Sequence, residues 1–450
     1  MGLDIPIEWL TLLMFGSLLV LLMAGLPLAF VTGGLACVFL FLVGDSAKIL
    51  NIVPSRIFPL MTDYQLSAIP LFIFMAAILE RAGIIQDMFD VIYKLLGGLR
   101  GGLASATILA STILAAMVGV IGAAVVTMGI IALPSMLKRQ YDPKIAMGAI
   151  MAGGTLGILI PPSILAIIYA VVAEQSVGEL FIGSVIPGLL LSGMYIAYVS
   201  IRCALDPKKG PAIPIEERIS VRQKFALMRE MLAPTVLILL VLGVIFTGVA
   251  TPVEAAGIGT FGAFMVAALH RRLSWITVRE ACVTTIKASS MVLWIIFGAT
   301  VFVGLYVFEG GQTFVQEAID ATGLGDWGVL ILMMFILVIL GMFLDWVGIL
   351  LLCVPIFIPI IKTMTFGGHV APEEIMVWFG VLYLVNMQMS FLSPPFGYAL
   401  FYLRGVAPPE IPMSDIFKSA LPFLALQILG LVLCMMFPGL ITWLPRLVYG

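Results

Sequence analysis

Long apolar segments separated by short polar connections follow one another along almost the whole chain. A helix needs roughly 20 apolar residues to cross the hydrocarbon core of a bilayer, and most of these segments have about that length. Segments 103–137 and 327–362 are too long for one crossing, and each has a weak point, at Val118–Gly122 and Gly341–Gly348. We expect each to form a re-entrant helical hairpin with its tip at membrane depth. The apolar segments lie at about 7–24, 26–44, 67–82, 103–137, 147–173, 181–202, 232–250, 254–270, 284–308, 327–362, 374–403 and 415–437.

Residues 153–163 are apolar but cannot form a continuous helix. Their sequence is Gly-Gly-Thr-Leu-Gly-Ile-Leu-Ile-Pro-Pro-Ser, so Pro161 and Pro162 remove two backbone donors and their rings clash with the preceding turn. Freed N–H and C=O groups cost several kcal/mol each in hydrocarbon unless something satisfies them. Broken helices at this depth therefore line cavities, which in transporters are often the ion or substrate site. A second break of the same kind, Ser393-Pro394-Pro395, lies in the other half of the chain.

The two halves of the chain repeat each other. Residues from Ala68 onward align with those from Ser289, and the pair Pro161–Pro162 aligns with Pro394–Pro395 at a spacing of 233 residues. The spacing grows along the chain because the second half has a longer loop at 366–372. Five crossings and one hairpin per half would invert the second half relative to the first. We therefore predict an all-α polytopic membrane protein with two inverted repeats and an elevator-type ion-transporter-like fold.

The predicted boundaries follow from these segments. The first repeat spans 1–203, with its hairpin at about 103–137 and its broken helix at about 147–173. A polar cytoplasmic linker covers 204–231. The second repeat spans 232–450, with its hairpin at about 327–362 and its broken helix at about 374–403.

Composition and charge agree with a membrane protein. The chain is 62% hydrophobic and 11% charged, with a mean hydropathy of +1.18, whereas soluble domains carry about 25% charged residues. Periplasmic N- and C-termini would place the Lys and Arg residues on the cytoplasmic side, except for Lys48, Arg56, Lys362 and Arg446. If 7–44 were one bent crossing at Gly25–Pro27, this orientation would change.

No motif for catalysis is visible. A P-loop, an HExxH motif and a Ser/His/Asp arrangement are all missing, which argues against ATP hydrolysis or another enzymatic activity. The five cysteines are scattered and form no CxxC pair, so a metal or redox site is not expected. The net charge of −2 gives no indication of nucleic-acid binding.

Polar groups and broken backbone near mid-membrane are the candidate chemistry. Na⁺ is a hard cation that prefers oxygen ligands, and unwound carbonyls, hydroxyls and amides supply them in transporters. Helix ends at the hairpin tips could face an anionic substrate. The candidate ion- or substrate-binding residues are Gly154, Thr155, Gly157, Pro161, Ser163, Asp345, Asn386, Gln388, Ser390, Ser393, Pro394 and Gly397. Within this set the candidate Na⁺ ligands are Thr155, Ser163, Ser390 and Ser393.

Structural roles compete with these assignments. Thr112 and Thr127 lie in an apolar helix, where a threonine usually bonds the carbonyl four residues earlier. Asp345 is the one carboxylate predicted deep in a hairpin; it either serves the ion or substrate by its charge, or caps the second hairpin helix, and both roles can coexist. Glu254 follows Thr251 by three residues, which predicts a capping box at a helix start.

The residues around the first break also carry a family resemblance. Gly154–Ser163, Ser176–Phe181, Ala250–Ala256 and Gly341–Asp345 resemble the large, DctM-like membrane subunit of TRAP (tripartite ATP-independent periplasmic) transporters. The resemblance covers nearly the whole chain. It implies a bacterial inner-membrane importer of organic acid anions, such as a C4-dicarboxylate or 2-oxo acid, driven by Na⁺ through an elevator movement. It also implies two partners, a small DctQ-like membrane subunit and a periplasmic substrate-binding protein.

Two details qualify the resemblance. The family often has Ser-Gly-Ser-Ser at the first hairpin tip, whereas this chain has Val118-Gly119-Val120-Ile121, so a Na⁺ site there would depend on backbone carbonyls. Residues 393–408 resemble the branch named for mannitol and chloroaromatic compounds, which includes 2-oxo-acid importers. The alternatives are a stand-alone ion-coupled anion transporter of the same architecture, a channel, and an intramembrane enzyme.

Overall fold

The computed structural model describes residues 5–43, 46–119, 121–214, 223, 227–229, 231–395 and 397–450; the side chains of 46–50 and 118 are not part of this description. Val120 at the first hairpin tip, Phe396 at the second break, residues 215–222, 224–226 and 230 of the linker, residues 44–45 and the first four residues thus lie outside it. The described residues form helices joined by short connections and contain no strand.

The first half contains ten helices within the described residues. They are α1 (Ile7–Met23), α2 (Leu28–Val43), α3 (Ser46–Met61), α4 (Ala68–Arg81), α5 (Ile84–Leu96), α6 (Gly102–Val118), α7 (Ile121–Lys138), α8 (Pro143–Thr155), α9 (Ile164–Ala173) and α10 (Val177–Leu205).

The second half also contains ten helices within the described residues. They are α11 (Leu232–Phe246), α12 (Pro252–Leu269), α13 (Trp275–Phe308), α14 (Gly311–Asp320), α15 (Asp326–Gly341), α16 (Trp346–Lys362), α17 (Ile375–Leu392), α18 (Tyr398–Val406), α19 (Met413–Met436) and α20 (Gly439–Tyr449). Helices α6 and α7, like α15 and α16, pack against each other as consecutive pairs.

Seven helical stretches among the described residues are long and apolar enough to cross a membrane. They include α10, α12, α13, α17 and α19, and several further apolar helices are shorter. Capping side chains determine where some of these helices begin. Thr251 Oγ1 accepts a hydrogen bond from the Glu254 backbone N–H (3.3 Å), and the Thr251 N–H donates to Glu254 Oε2 (2.8 Å). The predicted capping box is therefore confirmed.

The helices pack in two groups. In the first group, α13 packs against α2, α3 and α4, while α12 packs against α4 and α11. Helices α2 and α13 approach closely because both carry glycine at their crossing: a Cβ on Gly298 would lie 2.9 Å from Gly33 N and 2.6 Å from Thr32 Oγ1. In the second group, α6, α7 and α19 surround α8, and α17 packs against α15 and α19. The second group therefore contains both helix pairs and both breaks.

Contacts between the two groups are made by α16 with α13 and by α4 with α6 and α9. At the helix ends, Arg272 pairs with Asp87 at 2.8 Å and Arg81 with Glu280 at 3.2 Å. Both pairs are partly exposed, so each contributes at most about 1 kcal/mol to stability. Near the end of the chain, Arg446 of α20 forms an ion pair with Glu374, the residue before α17.

Candidate functional site

The first break separates α8 from α9. Helix α8 ends at Thr155, a single 3₁₀ turn follows at Leu156–Ile158, and α9 begins at Ile164. The irregular residues between them are buried. Ser163 is the N-cap of α9: its Oγ accepts a hydrogen bond from the Ala166 N–H (3.3 Å) and donates to the Ile158 carbonyl (2.5 Å). The Ser163 side chain thus forms hydrogen bonds to residues on both sides of the break.

The tip of the first helix pair rests on this break. Gly119 ends α6 with φ of +59°, and a Cβ at this position would lie 2.8 Å from the Pro162 carbonyl oxygen. Gly154 faces α7 so closely that a Cβ would overlap the Val125 side chain. The two glycines allow the hairpin and the break to touch through their backbones, so the oxygen atoms at this place are mainly carbonyls.

The second break separates α17 from α18 and is less enclosed. Ser393 Oγ donates to the Met389 carbonyl (2.7 Å), and the Gly397 N–H donates to the Ser393 carbonyl (3.0 Å). Gly397 is the N-cap of α18 and provides no side chain to cap it. Pro394 is half-buried and Pro395 is exposed. The Pro394–Pro395 peptide bond is cis, as is the Pro161–Pro162 bond in the first break.

Three predicted polar residues of α17 are buried, and two of them face the preceding helix pair. Asn386 Nδ2 donates to the Met334 carbonyl (2.9 Å), and Ser390 Oγ lies 3.4 Å from the Leu337 carbonyl, both on α15. Gly341 at the end of α15 has no room for a Cβ because Ser390 fills the space. Asn386 and Ser390 therefore fix α17 to the second pair, and Asn386 Oδ1 remains without a hydrogen-bond partner.

Asp345 lies at the tip of the second pair, as the N-cap residue of α16. Its carboxylate faces the backbone N–H groups of Trp346 and Val347 without completing a cap hydrogen bond. Its Oδ2 atom is buried and has no partner. The carboxylate therefore sits at a helix N-terminus, where the helix dipole favours negative charge, with one oxygen left to bind another group.

Helix α18 joins the second break to the first helix pair. It packs against α7 and α8 of the first half and against α17 and α19 of the second. A Cβ on Gly122, near the first tip, would lie 3.1 Å from the Tyr402 ring. A cavity of about 420 Å³ adjoins this helix, between α1 and the second tip. It is lined by Leu19, Leu22, Met23, Gly25, Phe343, Tyr398 and Phe401.

Thr155 connects the two breaks, and Gln427 is the residue that sequence reasoning missed. The Thr155 hydroxyl donates to the Ala152 carbonyl (2.8 Å), lies 3.5 Å from Gln388 Oε1, and accepts a hydrogen bond from Gln427 Nε2 (3.2 Å). The available signal was an uncharged amide inside the apolar segment 415–437. Thr112, in contrast, donates to the Ile108 carbonyl (2.8 Å), which is the structural role expected for it.

The oxygen atoms of this region suit a hard cation. Ser163, Ser393 and Thr155 each donate their single hydroxyl proton to a carbonyl. Ser163 and Thr155 also accept one hydrogen bond each, so each of the three hydroxyls keeps at least one lone pair for a cation. Unpartnered oxygens are present at Asn386, Gln427 and Asp345. No group of three or more His, Cys, Asp or Glu side chains occurs in the part of the chain that is described. The fit to Na⁺ therefore rests on hydroxyls, amides, carbonyls and one carboxylate.

Membrane-length helices arranged around two interrupted helices define an α-helical, multi-pass membrane protein. The family model for the tripartite ATP-independent periplasmic transporter, DctM component, matches residues 15–440, and the chain belongs to this family of TRAP transporter large permease subunits.

Two relatives and one solved structure illustrate the similarity. The chain is 32% identical to the C4-dicarboxylate TRAP transporter large permease protein DctM of Pseudomonas aeruginosa over 403 residues, 89% of this chain and 90% of that protein. It is 28% identical to the sialic acid TRAP transporter large permease protein SiaM of Vibrio cholerae, over 96% of this chain and 97% of that one. Its fold resembles the Alcanivorax borkumensis YdaH transporter, with a TM-score of 0.62 at 15% identity, covering 94% of this chain and 98% of the other.

Proposed function

We propose that this chain is the Na⁺-coupled permease of a tripartite importer of a small organic acid anion, in the inner membrane, with both termini in the periplasm. The observation that carries the proposal is the pair of interrupted helices, α8–α9 and α17–α18, each beside a helix pair and both within one group. Inverted repeats explain this pairing. In support, Thr155 and Gln388, which are 233 residues apart like the two Pro–Pro pairs, lie in contact.

An elevator movement fits the division of the helices. The group that contains both breaks and both helix pairs would move as one body against the group built on α2, α4, α12 and α13. The cavity of about 420 Å³ lies between α1, which packs against α2 of the fixed group, and the second tip of the moving group. A substrate bound there would be carried across by the movement. The relatives' names include C4-dicarboxylate and sialic acid, both anionic, so an organic acid is the class proposed here.

Separate partners would deliver the substrate. The longest polar connection, 204–231, lies on the predicted cytoplasmic side, so the chain offers no large periplasmic domain to capture a solute. A periplasmic binding protein and a small DctQ-like membrane subunit would complete the transporter. Partners of this kind are also what the word tripartite in the family's description suggests.

The test is reconstitution in proteoliposomes with an imposed Na⁺ gradient. The chain is incorporated alone, with the small subunit, and with both the small subunit and the binding protein, all taken from neighbouring genes. Radiolabelled succinate and a 2-oxo acid are offered as substrates. We expect concentrative uptake only in the complete set and only with Na⁺. Concentrative uptake by the chain alone would instead identify a stand-alone transporter, and non-saturating current without exchange would identify a channel.

A second measurement addresses the ions. If each break provides one cation site, at least two Na⁺ move per cycle and uptake depends on Na⁺ sigmoidally. Thr155→Val replaces the hydroxyl by a methyl group of similar size, and Ser393→Ala removes the hydroxyl without adding bulk. Both should raise the Na⁺ concentration for half-maximal uptake more than the substrate concentration. A hyperbolic Na⁺ dependence that neither variant changes would place the ions elsewhere.

A further inference from the structure

Four fully buried polar side chains meet where four helices converge. They are Thr155 on α8, Tyr195 on α10, Gln388 on α17 and Gln427 on α19, each with 0% of its surface exposed. Gln427 Nε2 donates to Thr155 Oγ1 (3.2 Å), Thr155 Oγ1 lies 3.5 Å from Gln388 Oε1, and the Tyr195 hydroxyl lies beside Gln427 and Thr155. We call these four residues the central polar network. It joins both interrupted helices to two helices that are not interrupted.

The sequence repeat explains where the network lies. Thr155 and Gln388 differ by 233 positions, the spacing that also relates the two Pro–Pro pairs, so they occupy equivalent places in the two halves. In an object with two-fold symmetry, equivalent points that touch lie next to the axis. Helices α10 and α19, which supply Tyr195 and Gln427, are equivalent in the same way. The network thus lies on the pseudo-two-fold axis between the proposed ion sites.

Position on the axis gives the network a mechanical connection to both breaks. Thr155 is the last residue of α8, directly before the 3₁₀ turn of the first break. Gln388 lies just over one helical turn before Ser393 of the second break. A shift of either helix end changes the contact between Thr155 and Gln388. Two sites whose occupation biases the same contact are energetically coupled, and the coupling is reciprocal.

Gln427 determines how firmly this contact is held. Its amide occupies one lone pair of the Thr155 hydroxyl, whose single proton is shared between the Ala152 carbonyl (2.8 Å) and Gln388 Oε1 (3.5 Å). Gln427 Oε1 and Gln388 Nε2 are buried without hydrogen-bond partners, so each amide can take up a new partner without first breaking another bond at that atom. In a low-dielectric interior, such polar groups respond strongly to a nearby charge.

We infer that Gln427 is a positioning residue that holds Thr155 against Gln388 and thereby makes Na⁺ binding at the two breaks cooperative. This inference rests on the proposed Na⁺ coupling. The inference adds that the central polar network transmits the cooperativity. It also adds that the cooperativity depends on Gln427, which lies outside both breaks.

The test compares Gln427→Met with a matched control. Thr112→Val also removes a buried hydroxyl contact between helices, the 2.7 Å contact of Thr112 with Ser192, which lies outside both breaks. The purified chain in detergent is titrated with NaCl, with choline chloride holding the ionic strength constant. Both ²²Na⁺ binding and the Na⁺-dependent rise in Tm are followed, since a ligand that binds only the folded state raises Tm.

For the wild-type chain we expect a sigmoidal dependence on Na⁺. In Gln427→Met, half-saturation should need about three to ten times more Na⁺, the scale of one interhelical hydrogen bond in a membrane, and the Hill coefficient should fall towards one. Thr112→Val should lower Tm without Na⁺ but leave both Na⁺ parameters unchanged. In the reconstituted complex, Gln427→Met should change the Na⁺ requirement and leave the substrate KM nearly constant.

The outcomes separate this inference from the proposed function. A wild-type chain with no Na⁺ response would reject the Na⁺ coupling and this inference together. A sigmoidal wild-type response that Gln427→Met retains would reject the inference alone. If Gln427→Met does not fold, Tyr195→Phe, which removes only the hydroxyl beside Gln427 and Thr155, takes its place with the same expectation. Gln427→Glu, which keeps the chain length and a donor when protonated, should restore the wild-type Na⁺ dependence.

Discussion

Helix α9 begins under a serine cap, whereas α18, its counterpart after the second break, begins without one. The first break is fully buried, bridged by Ser163, and pressed by glycines against its helix pair. The second break has an exposed proline, and its helix pair is held through the side chains of Asn386 and Ser390. The same backbone problem, two prolines inside an apolar helix, is therefore solved by close backbone packing in one half and by side-chain hydrogen bonds in the other.

This difference divides the chemistry between the halves. Around the first break the available oxygens are carbonyls and two hydroxyls, which give a rigid site of fixed geometry. Around the second break amides, hydroxyls and the Asp345 carboxylate are available, and fewer contacts restrain them. We therefore expect substitutions that disturb packing to cost more stability at the first break than at the second, and substitutions of polar groups near the second break to act mainly on ion dependence.

The largest expected effect is at Asp345. Asp345→Ala should lower Na⁺-dependent uptake at least about tenfold while the protein still inserts, because it removes the one carboxylate at a tip. Asp345→Asn separates the two roles: Asn caps a helix as well as Asp does, so a silent variant indicates a cap and an inactive one indicates a need for charge.

Asp326 supplies the matched control for this measurement. It lies at the outer end of the same helix pair, where Oδ2 accepts hydrogen bonds from the Thr365 (2.9 Å) and Phe366 (2.8 Å) N–H groups. Asp326→Asn should leave the Na⁺ dependence of uptake unchanged. Normal uptake by Asp345→Ala would contradict both roles and remove the main chemical difference between the halves.

An intermediate effect is expected at Gly154 and at Met387, which follows it by the 233-residue spacing of the two Pro–Pro pairs. A Cβ on Gly154 would overlap the Val125 side chain, so Gly154→Ala should lower the free energy of unfolding by about 1–3 kcal/mol. Met387→Leu conserves volume and should cost less, under about 1.5 kcal/mol. Thermal unfolding of the purified chain measures both. Gly193→Ala, where a Cβ meets nothing within 4 Å, controls for the helix propensity of alanine. Equal Tm values for Gly154→Ala and Gly193→Ala would show that the first break is not tightly packed.

The smallest effect concerns the two serines. Ser163→Ala removes a helix cap and should cost about 1 kcal/mol, whereas Ser393→Ala removes only a bond to the carbonyl four residues earlier and should cost less. Thermal unfolding without Na⁺ gives the comparison. If Ser393→Ala lowers Tm more than Ser163→Ala does, the second break, and not the first, would be the more rigid of the two.

Apolar segment length predicted many of the helices, because bilayer thickness fixes how many residues a crossing needs. It did not predict α3, α14 or α20, which are less apolar, and two of which contain proline. It also placed the start of α13 too late. The apolar segment begins at 284, but the helix begins at Trp275, because Ser274 Oγ accepts a hydrogen bond from the Thr277 N–H (3.1 Å) and caps it there.

The candidate site was predictable in part. Prolines and glycines mark a break within one stretch of sequence, so both breaks could be located from local pattern alone. The central polar network could not, because its members are far apart along the chain and only packing brings Gln427 to Thr155. The partners of Asn386 and Ser390 are backbone carbonyls of α15, which have no sequence signature at all.

Helix α13 provides a depth scale for the whole molecule. Its 34 residues extend over about 51 Å, well beyond a hydrocarbon core of about 30 Å. The charged residues Arg279, Glu280 and Lys287 all lie near its start, and the uncharged stretch 288–308 measures about 31 Å, close to the core thickness. We therefore expect Lys287 and Phe308 to lie near the two hydrocarbon boundaries. Spin labels placed along α13 and compared for their accessibility to oxygen and to a polar relaxant would give the depth of each labelled residue in the bilayer. Because α16 packs against α13, the same measurement would also give the depth of Asp345.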